Sequence, residues 1–233
     1  PRPQGEASDI GAFAPRGIIL SGGPESVHAA DGPQAPQIVY ELNVPLLGIC
    51  YGLHTMVQQL GGRVEASDVK EFGYARVDIV QPSRLLQNIE DRVDAAGGPQ
   101  LDVWMSHGDH LETVEEPLQL IAQSESGLVS AVAHKSRPFY GVQFHPEVHH
   151  TPKGKTMLRN FLFDVCKCKR SWTMKTFAKD SVDQIRENVG EKKVILGLSG
   201  GVLGTELDLV PARIARRLEE ALPSWSLTGP WKG

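Results

Sequence analysis

The stretch "VPLLGICYGLHTMVQQLGG" (44–62) changes its hydrophobic period half-way along. Leu46, Leu47 and Ile49 form a short continuous apolar run, the pattern of a strand covered on both faces. From Leu53 the spacing is different. Leu53, Met56, Val57 and Leu60 fall at i, i+3, i+4 and i+7, which predicts a helix with one apolar face, ended by Gly61-Gly62. The switch lies at Gly48-Ile49-Cys50-Tyr51-Gly52, so a cysteine flanked by glycines sits where a strand turns into a helix. By residue type, Cys50 has two readings. It is a small buried hydrophobe at a tight turn, or it is a nucleophile raised above a sheet on a strand–turn–helix elbow. On the elbow it would meet the partial positive charge of the helix N-terminus, which favours a thiolate.

Other segments repeat the alternation of short strands and helices. Gly17-Ile18-Ile19-Leu20 is a β-branched run that ends at Ser21-Gly22-Gly23-Pro24. Residues 74–81 alternate as a half-buried strand, and Leu118–Gln123 and Leu128–Ala133 read as two strands joined across Ser124-Glu125-Ser126-Gly127. Pro138–Phe144 is a further strand ending at His145, and Lys155–Val165 has helical spacing. Strands interleaved with helices predict an α/β fold: an open, mostly parallel sheet with flanking helices. With 233 residues, 40% hydrophobic and 22% charged, the chain is long enough for one large domain and a piece of another. A net charge of −4 gives no basic footprint for nucleic acid. No apolar run reaches the roughly 20 residues of a membrane span. The first residues, Pro1-Arg2-Pro3-Gln4-Gly5, do not read as a signal peptide, and three cysteines make no disulfide framework, so a cytoplasmic location is expected.

A cysteine nucleophile needs a base. His145 follows a strand, and in open α/β sheets chemistry gathers at the carboxyl ends of strands. Glu147, past Pro146, can aim a carboxylate at that imidazole and fix its tautomer. Ser21-Gly22-Gly23-Pro24 reads either as an ordinary turn or as a loop whose backbone N–H groups face an oxyanion, with the N–H of Tyr51 as the second donor. By residue type alone, Ser106-His107-Gly108-Asp109 reads as a polar turn. No metal site is expected: His149-His150 reads as a polar turn, and no Cys/His set has zinc-site spacing. Cys166 and Cys168 read as two free thiols beside a basic linker.

Together, "SGGPESV" (21–27), "GICYG" (48–52) and "GVQFHPEV" (141–148) resemble the class I glutamine amidotransferase family over roughly residues 16–168. "EFGYA" (71–75) and "MSHGD" (105–109) resemble its GMP synthase branch. The resemblance implies a flavodoxin-like fold and a Cys50-His145-Glu147 triad that hydrolyses glutamine without a cofactor. It also implies an oxyanion hole at Gly23 and Tyr51, and a glutamine pocket lined by His54, Ser106, His107 and Gly108. "VILGLSGGV" (194–202) resembles the start of an ATP pyrophosphatase domain, with Ser199, Gly200, Gly201 and Val202 as part of an ATP loop. In the complete enzymes of that branch, ATP and Mg2+ activate XMP, ammonia converts it to GMP, and the chains dimerise through a further region. No nucleic-acid or membrane partner is implied.

The chain departs from the family pattern in three places. His54 stands where the family usually has glutamine. The family's first strand and its loop are not among these residues. After Val202 the ATP-loop pattern gives way to Leu203-Gly204-Thr205, and the likeness stops. The expected organisation is an amidotransferase domain at 1–168, a linker at 169–176, the start of an ATP domain at 177–202 and an unrelated tail at 203–233. Ser181 and Gln184 form a capping box that predicts a helix start in the third segment, with Gly190 at its end. Two other classes fit part of this pattern. A non-catalytic module would keep the motifs without the chemistry. A different cysteine hydrolase, such as a peptidase, would use the same Cys-His pair, but the "SGGP" and "HPE" motifs and the "SGGV" that follows count against it.

Overall fold

A computed structural model describes residues 7–29, 32–111, 113–170 and 174–190. The chain divides into two units, Pro1–Arg170 and Ser171–Gly233. In the first unit the elements run α1 (Ala7–Phe13), β1 (Ile18–Leu20), α2 (Ile38–Glu41), β2 (Leu46–Ile49), α3 (Tyr51–Gln59), β3 (Glu65–Ile79), β4 (Arg92–Val93), β5 (Pro99–His110), β6 (Leu118–Ser124), β7 (Val129–His134), β8 (Phe139–Val142) and α4 (Gly154–Arg159). A π-helical turn, Asn160–Val165, continues α4. The described part of the second unit is α5 (Met174–Val189). Among the described residues no helix is long and apolar enough to cross a membrane.

The eight strands form one sheet in the order β1-β2-β8-β7-β6-β3-β5-β4. β1, β2 and β8 pair in parallel, and every later pairing is antiparallel. Two successive reversals restore direction, so β6 and β5 run the same way as β1, β2 and β8. The expected mostly parallel sheet is therefore a mixed one in which most strands share a direction but only the site-bearing three are hydrogen-bonded in parallel.

The period switch at 44–62 is explained by what each face covers. Leu46, Leu47, Gly48 and Ile49 are all buried. Leu47 and Ile49 face a core with Val103, Met105, Phe144, Met157 and Phe161. Leu46 faces the opposite core, with Val39, Leu53, Met56, Val57 and Phe139. The alternation along β2 thus serves α4 and its π-turn on one side and α3 on the other. Gly61 ends α3 with φ +90°, a conformation that suits a residue without Cβ.

Three sequence expectations are corrected. Ser106-His107-Gly108-Asp109 is not a turn but the carboxyl end of β5, held in register by β3 through Phe72↔Ser106 and Glu71↔His107. The helix expected at 155–165 is α-helical only to Arg159. Beyond it, the buried Asn160 donates from Nδ2 to the carbonyls of Leu85 (3.1 Å) and Gln87 (2.9 Å). Ser181 and Gln184 lie inside α5 rather than at its start, while Gly190 does end it, at φ +53°. The stretch "VILGLSGGV" (194–202), with the ATP-loop residues Ser199, Gly200, Gly201 and Val202, and the tail at 203–233 lie outside the described residues.

Candidate active site

The elbow is built by close backbone contact. A Cβ on Gly48 would lie 2.7 Å from the Gly52 carbonyl oxygen, and one on Gly52 would strike the Leu20 carbonyl, 2.5 Å from its carbon. Only glycine at both positions lets β1, β2 and the first turn of α3 meet. Between them Cys50 is held at φ 50°, ψ −111°, far from the conformations that non-glycine residues prefer. Such strain persists where surrounding structure over-determines it. Here the Cys50 N–H continues the β2–β8 ladder, donating to Val142 O at 2.8 Å, while Cys50 O accepts from Leu53 N (2.9 Å) and His54 N (3.1 Å).

The neighbouring strand end delivers the partner. Two residues past Gln143 on the same side of the chain, His145 is fixed by its backbone: its N–H donates to Trp104 O at 3.1 Å, and its carbonyl accepts from Thr151 Oγ1 at 2.7 Å. Thr151 Oγ1 in turn accepts from Trp104 N, so one buried hydroxyl ties β5 to the His145 turn. Through Nδ1 the imidazole hydrogen-bonds Glu147 Oε1 at 2.6 Å, and the ring lies beside Cys50 on the cleft. These two contacts, Cys50 first and Glu147 second, push the imidazole pKa up to about 10 against the opposing effect of burial. Burial pushes the Glu147 carboxyl the other way from its hydrogen bonds, but the bond from His145 and the local backbone outweigh it and hold the carboxyl below its usual value.

Gly22 lies at the junction of the pair. A Cβ there would be 3.0 Å from His145 Cε1 and 3.4 Å from Cys50 Cβ. Gly23 follows it against Tyr51, its built Cβ 3.9 Å from Tyr51 Cβ. The Tyr51 hydroxyl turns away to donate to Pro33 O at 2.8 Å. Both residues line a cleft of about 670 Å³ with Cys50 and His145 at its base. His54, Ser106, His107 and Gly108 line the same cleft, so the structure brings together every site residue named from the sequence in this unit. Glu147 stands behind His145 rather than on the cleft wall.

Two groups were not singled out by sequence reasoning. Asp109 accepts a 2.6 Å hydrogen bond from Ser26 Oγ at Oδ2, which joins the glycine loop to the end of β5 across the cleft. Gln143 is 1% exposed and lies between Cys50 and His54. Its signal was a polar residue in the otherwise apolar run Phe139–Phe144. His54 is equally buried, and burial lowers its pKa, so its ring is neutral and carries a single N–H. Of the other histidines, His150 packs at 4.4 Å on the Trp104 ring and 3.7 Å from the His149 ring.

Residues 3–165 match the family model described as glutamine amidotransferase class-I. The chain belongs to that family. Among curated proteins it is 55% identical over 194 residues to GMP synthase (glutamine-hydrolyzing) of Ectopseudomonas mendocina, covering 83% of this chain and 37% of that protein. It is also 55% identical over 191 residues to the protein of the same name from Pseudomonas aeruginosa, covering 82% and 36%. The chain therefore spans little more than a third of the length of these relatives. Among solved structures it is similar to a putative GMP synthase subunit from Thermoplasma acidophilum, with a TM-score of 0.58 and 25% identity over 79% of this chain and 81% of that one. The amidotransferase fold and the elbow thus belong together in this chain.

Proposed function

We propose that this amidotransferase domain hydrolyses the side-chain amide of glutamine, with Cys50 as nucleophile, His145 as proton carrier and Glu147 as its orienting carboxylate. The observation that carries the proposal is a cysteine strained at φ 50° that shares a cleft of about 670 Å³ with His145, which is itself hydrogen-bonded to Glu147. The thiolate attacks the amide carbon and a C–S bond forms. The oxyanion is held by the backbone N–H groups of Gly23 and Tyr51. The His145 imidazolium gives its proton to the departing nitrogen, the C–N bond breaks, and ammonia leaves. Water then adds to the thioester, His145 takes its proton, and the C–S bond breaks to release glutamate.

Glutamine also brings an ammonium and a carboxylate. The carboxylates of Asp109 and Glu25 on the cleft wall suit the first. Ser106, His107, Gly108 and His54 provide the polar remainder of the pocket. By likeness to the curated relatives, the ammonia serves GMP synthesis: XMP, ATP and glutamine give GMP, AMP, diphosphate and glutamate, in a complete enzyme that uses ATP and Mg2+ beyond this domain and dimerises. The test is glutamate release from glutamine, together with labelling by the glutamine analogue diazo-oxonorleucine read by peptide mass spectrometry. The expected result is turnover abolished by Cys50→Ala and an adduct confined to Cys50. Equal labelling of Cys50, Cys166 and Cys168, or turnover that survives C50A, would overturn it.

A further inference from the structure

One acceptor and one donor face the sulfur. Ser106 O, 3.7 Å from Cys50 Sγ, can only accept, so it serves a thiol S–H. Gln143 Nε2, 4.0 Å from Sγ, can only donate, so it serves a thiolate. Which end of the Gln143 amide faces the sulfur depends on its other end. Gln143 Oε1 lies 2.7 Å from His54 Nε2. Both side chains are closed off from water, at 1% and 3% exposure, and their backbones are fixed: Gln143 N–H donates to Ser130 O at 2.9 Å, and His54 lies on the first turn of α3. A neutral imidazole protonated at Nε2 donates to the amide oxygen and so turns the amide NH2 toward Sγ. The opposite tautomer would accept from the NH2 and turn the amide oxygen toward Sγ, where it would repel a thiolate. The proton on His54 and the charge on Cys50 are therefore coupled through one buried amide.

We propose that Gln143 is a thiolate-stabilising donor and that His54 is a positioning residue that sets its orientation, forming a His54–Gln143–Cys50 relay. This rests on the reading of Cys50 as the nucleophile. It assigns His54 Nε2 to the protein rather than to glutamine. The other ionisable groups that line the cleft or act on His54 and His145 are Glu25, Tyr51, His107, Asp109, His110, His145 and Glu147, and all are left in place by the variants below.

The readout is the rate of Cys50 alkylation by iodoacetamide as a function of pH, followed by peptide mass spectrometry on the whole chain without glutamine. Gln143→Leu and His54→Leu are expected to move the midpoint of the profile upward by about one unit, roughly tenfold slower labelling at neutral pH, with the high-pH limiting rate retained. His54→Gln, whose amide N–H can also donate to Gln143 Oε1, is expected to stay within about threefold of the wild type. Gln143→Glu, the same shape with a charge that repels the thiolate, is expected to shift the midpoint further than the leucine variant. If Q143L does not fold, H54L and Q143E carry the same test. A midpoint unchanged in the folded variants, or a loss confined to the high-pH limiting rate, would overturn the relay. Wild-type glutamine turnover, measured separately, distinguishes the failures. Turnover with an unmoved midpoint refutes the relay alone, while a shifted midpoint without turnover supports the relay and refutes the glutaminase reading.

Discussion

Replacing Gly52 by alanine tests the elbow at its tightest point. Gly52 is the second residue of α3, where alanine is intrinsically favoured over glycine by up to about 1 kcal/mol. Packing opposes this. The added Cβ would lie 2.5 Å from the Leu20 carbonyl carbon, whereas two carbons rest at about 3.5 Å or more. About 1 Å of separation must therefore be found between β1 and α3. Neither side yields easily, because the obstacle is backbone and β1 is held in register by β2. Over-packing of this kind costs about 1–3 kcal/mol and more when backbone must move. The expected net loss is about 2–4 kcal/mol. At about 2–4 °C per kcal/mol for a domain of this size, Tm should fall by roughly 4–16 °C. The assay is thermal unfolding followed by circular dichroism, with Gly11→Ala as control. A Cβ at Gly11 in α1 meets nothing within 4 Å, so that variant should be neutral or slightly more stable. A G52A protein as stable as G11A, with Cys50 labelled at the wild-type rate, would refute the claim that close contact with Leu20 shapes the elbow.

Three further outcomes follow from the same geometry. Glu147→Gln removes an ionic acceptor that is half exposed, so the His145 midpoint should fall from about 10 by about one unit, as read by imidazole NMR titration. Because His145 binds its proton more tightly folded than its ordinary value of 6.5, its contribution to stability is full below that value and is lost as pH rises through about 10, and E147Q should narrow this window from the alkaline side. Ser26→Ala breaks the 2.6 Å bond to Asp109 that spans the cleft, so KM for glutamine should rise several-fold with kcat little changed in steady-state assays. Asn160→Leu leaves the carbonyls of Leu85 and Gln87 without their buried donor and should cost about 2–3 kcal/mol in urea unfolding, with Cys50 labelling unaffected.

β2, which ends at the elbow, was legible because burial on both faces selects an apolar run. The run at Leu46–Ile49 and the helical spacing from Leu53 locate the elbow to the residue. The hairpin at Ser124–Gly127 was legible too, since Gly127 takes φ +83° between two strands with no helical pattern between them. What the sequence concealed was β5 and the first half of β3. Leu101, Val103 and Met105 do alternate into the core, but the strand ends in Ser106-His107-Gly108-Asp109, whose residue types favour turns. Its partner in β3 exposes Phe72 and Tyr74, so backbone pairing rather than one-sided burial makes it a strand. The π-turn at Asn160–Val165 was likewise invisible to an apolar stripe.

This concealed half of the sheet explains how the cleft closes. β1, β2 and β8 end at one edge of the sheet and deliver Gly22 and Gly23, Cys50, and Gln143 with His145. Four antiparallel pairings, β8–β7, β7–β6, β6–β3 and β3–β5, leave β5 running in the same direction as β2, so its carboxyl end, Ser106–Asp109, lies at the same edge. Ser26 then joins Asp109, and Thr151 joins Trp104 to His145, so the antiparallel half is bonded to the parallel half on both sides of the nucleophile. The carbonyl of Ser106 reaches Sγ only because of that shared direction. The polar residues that concealed β5 in the sequence are therefore those that the strand direction requires at its end: they leave the core and enter the cleft, where apolar side chains would offer glutamine nothing to bind.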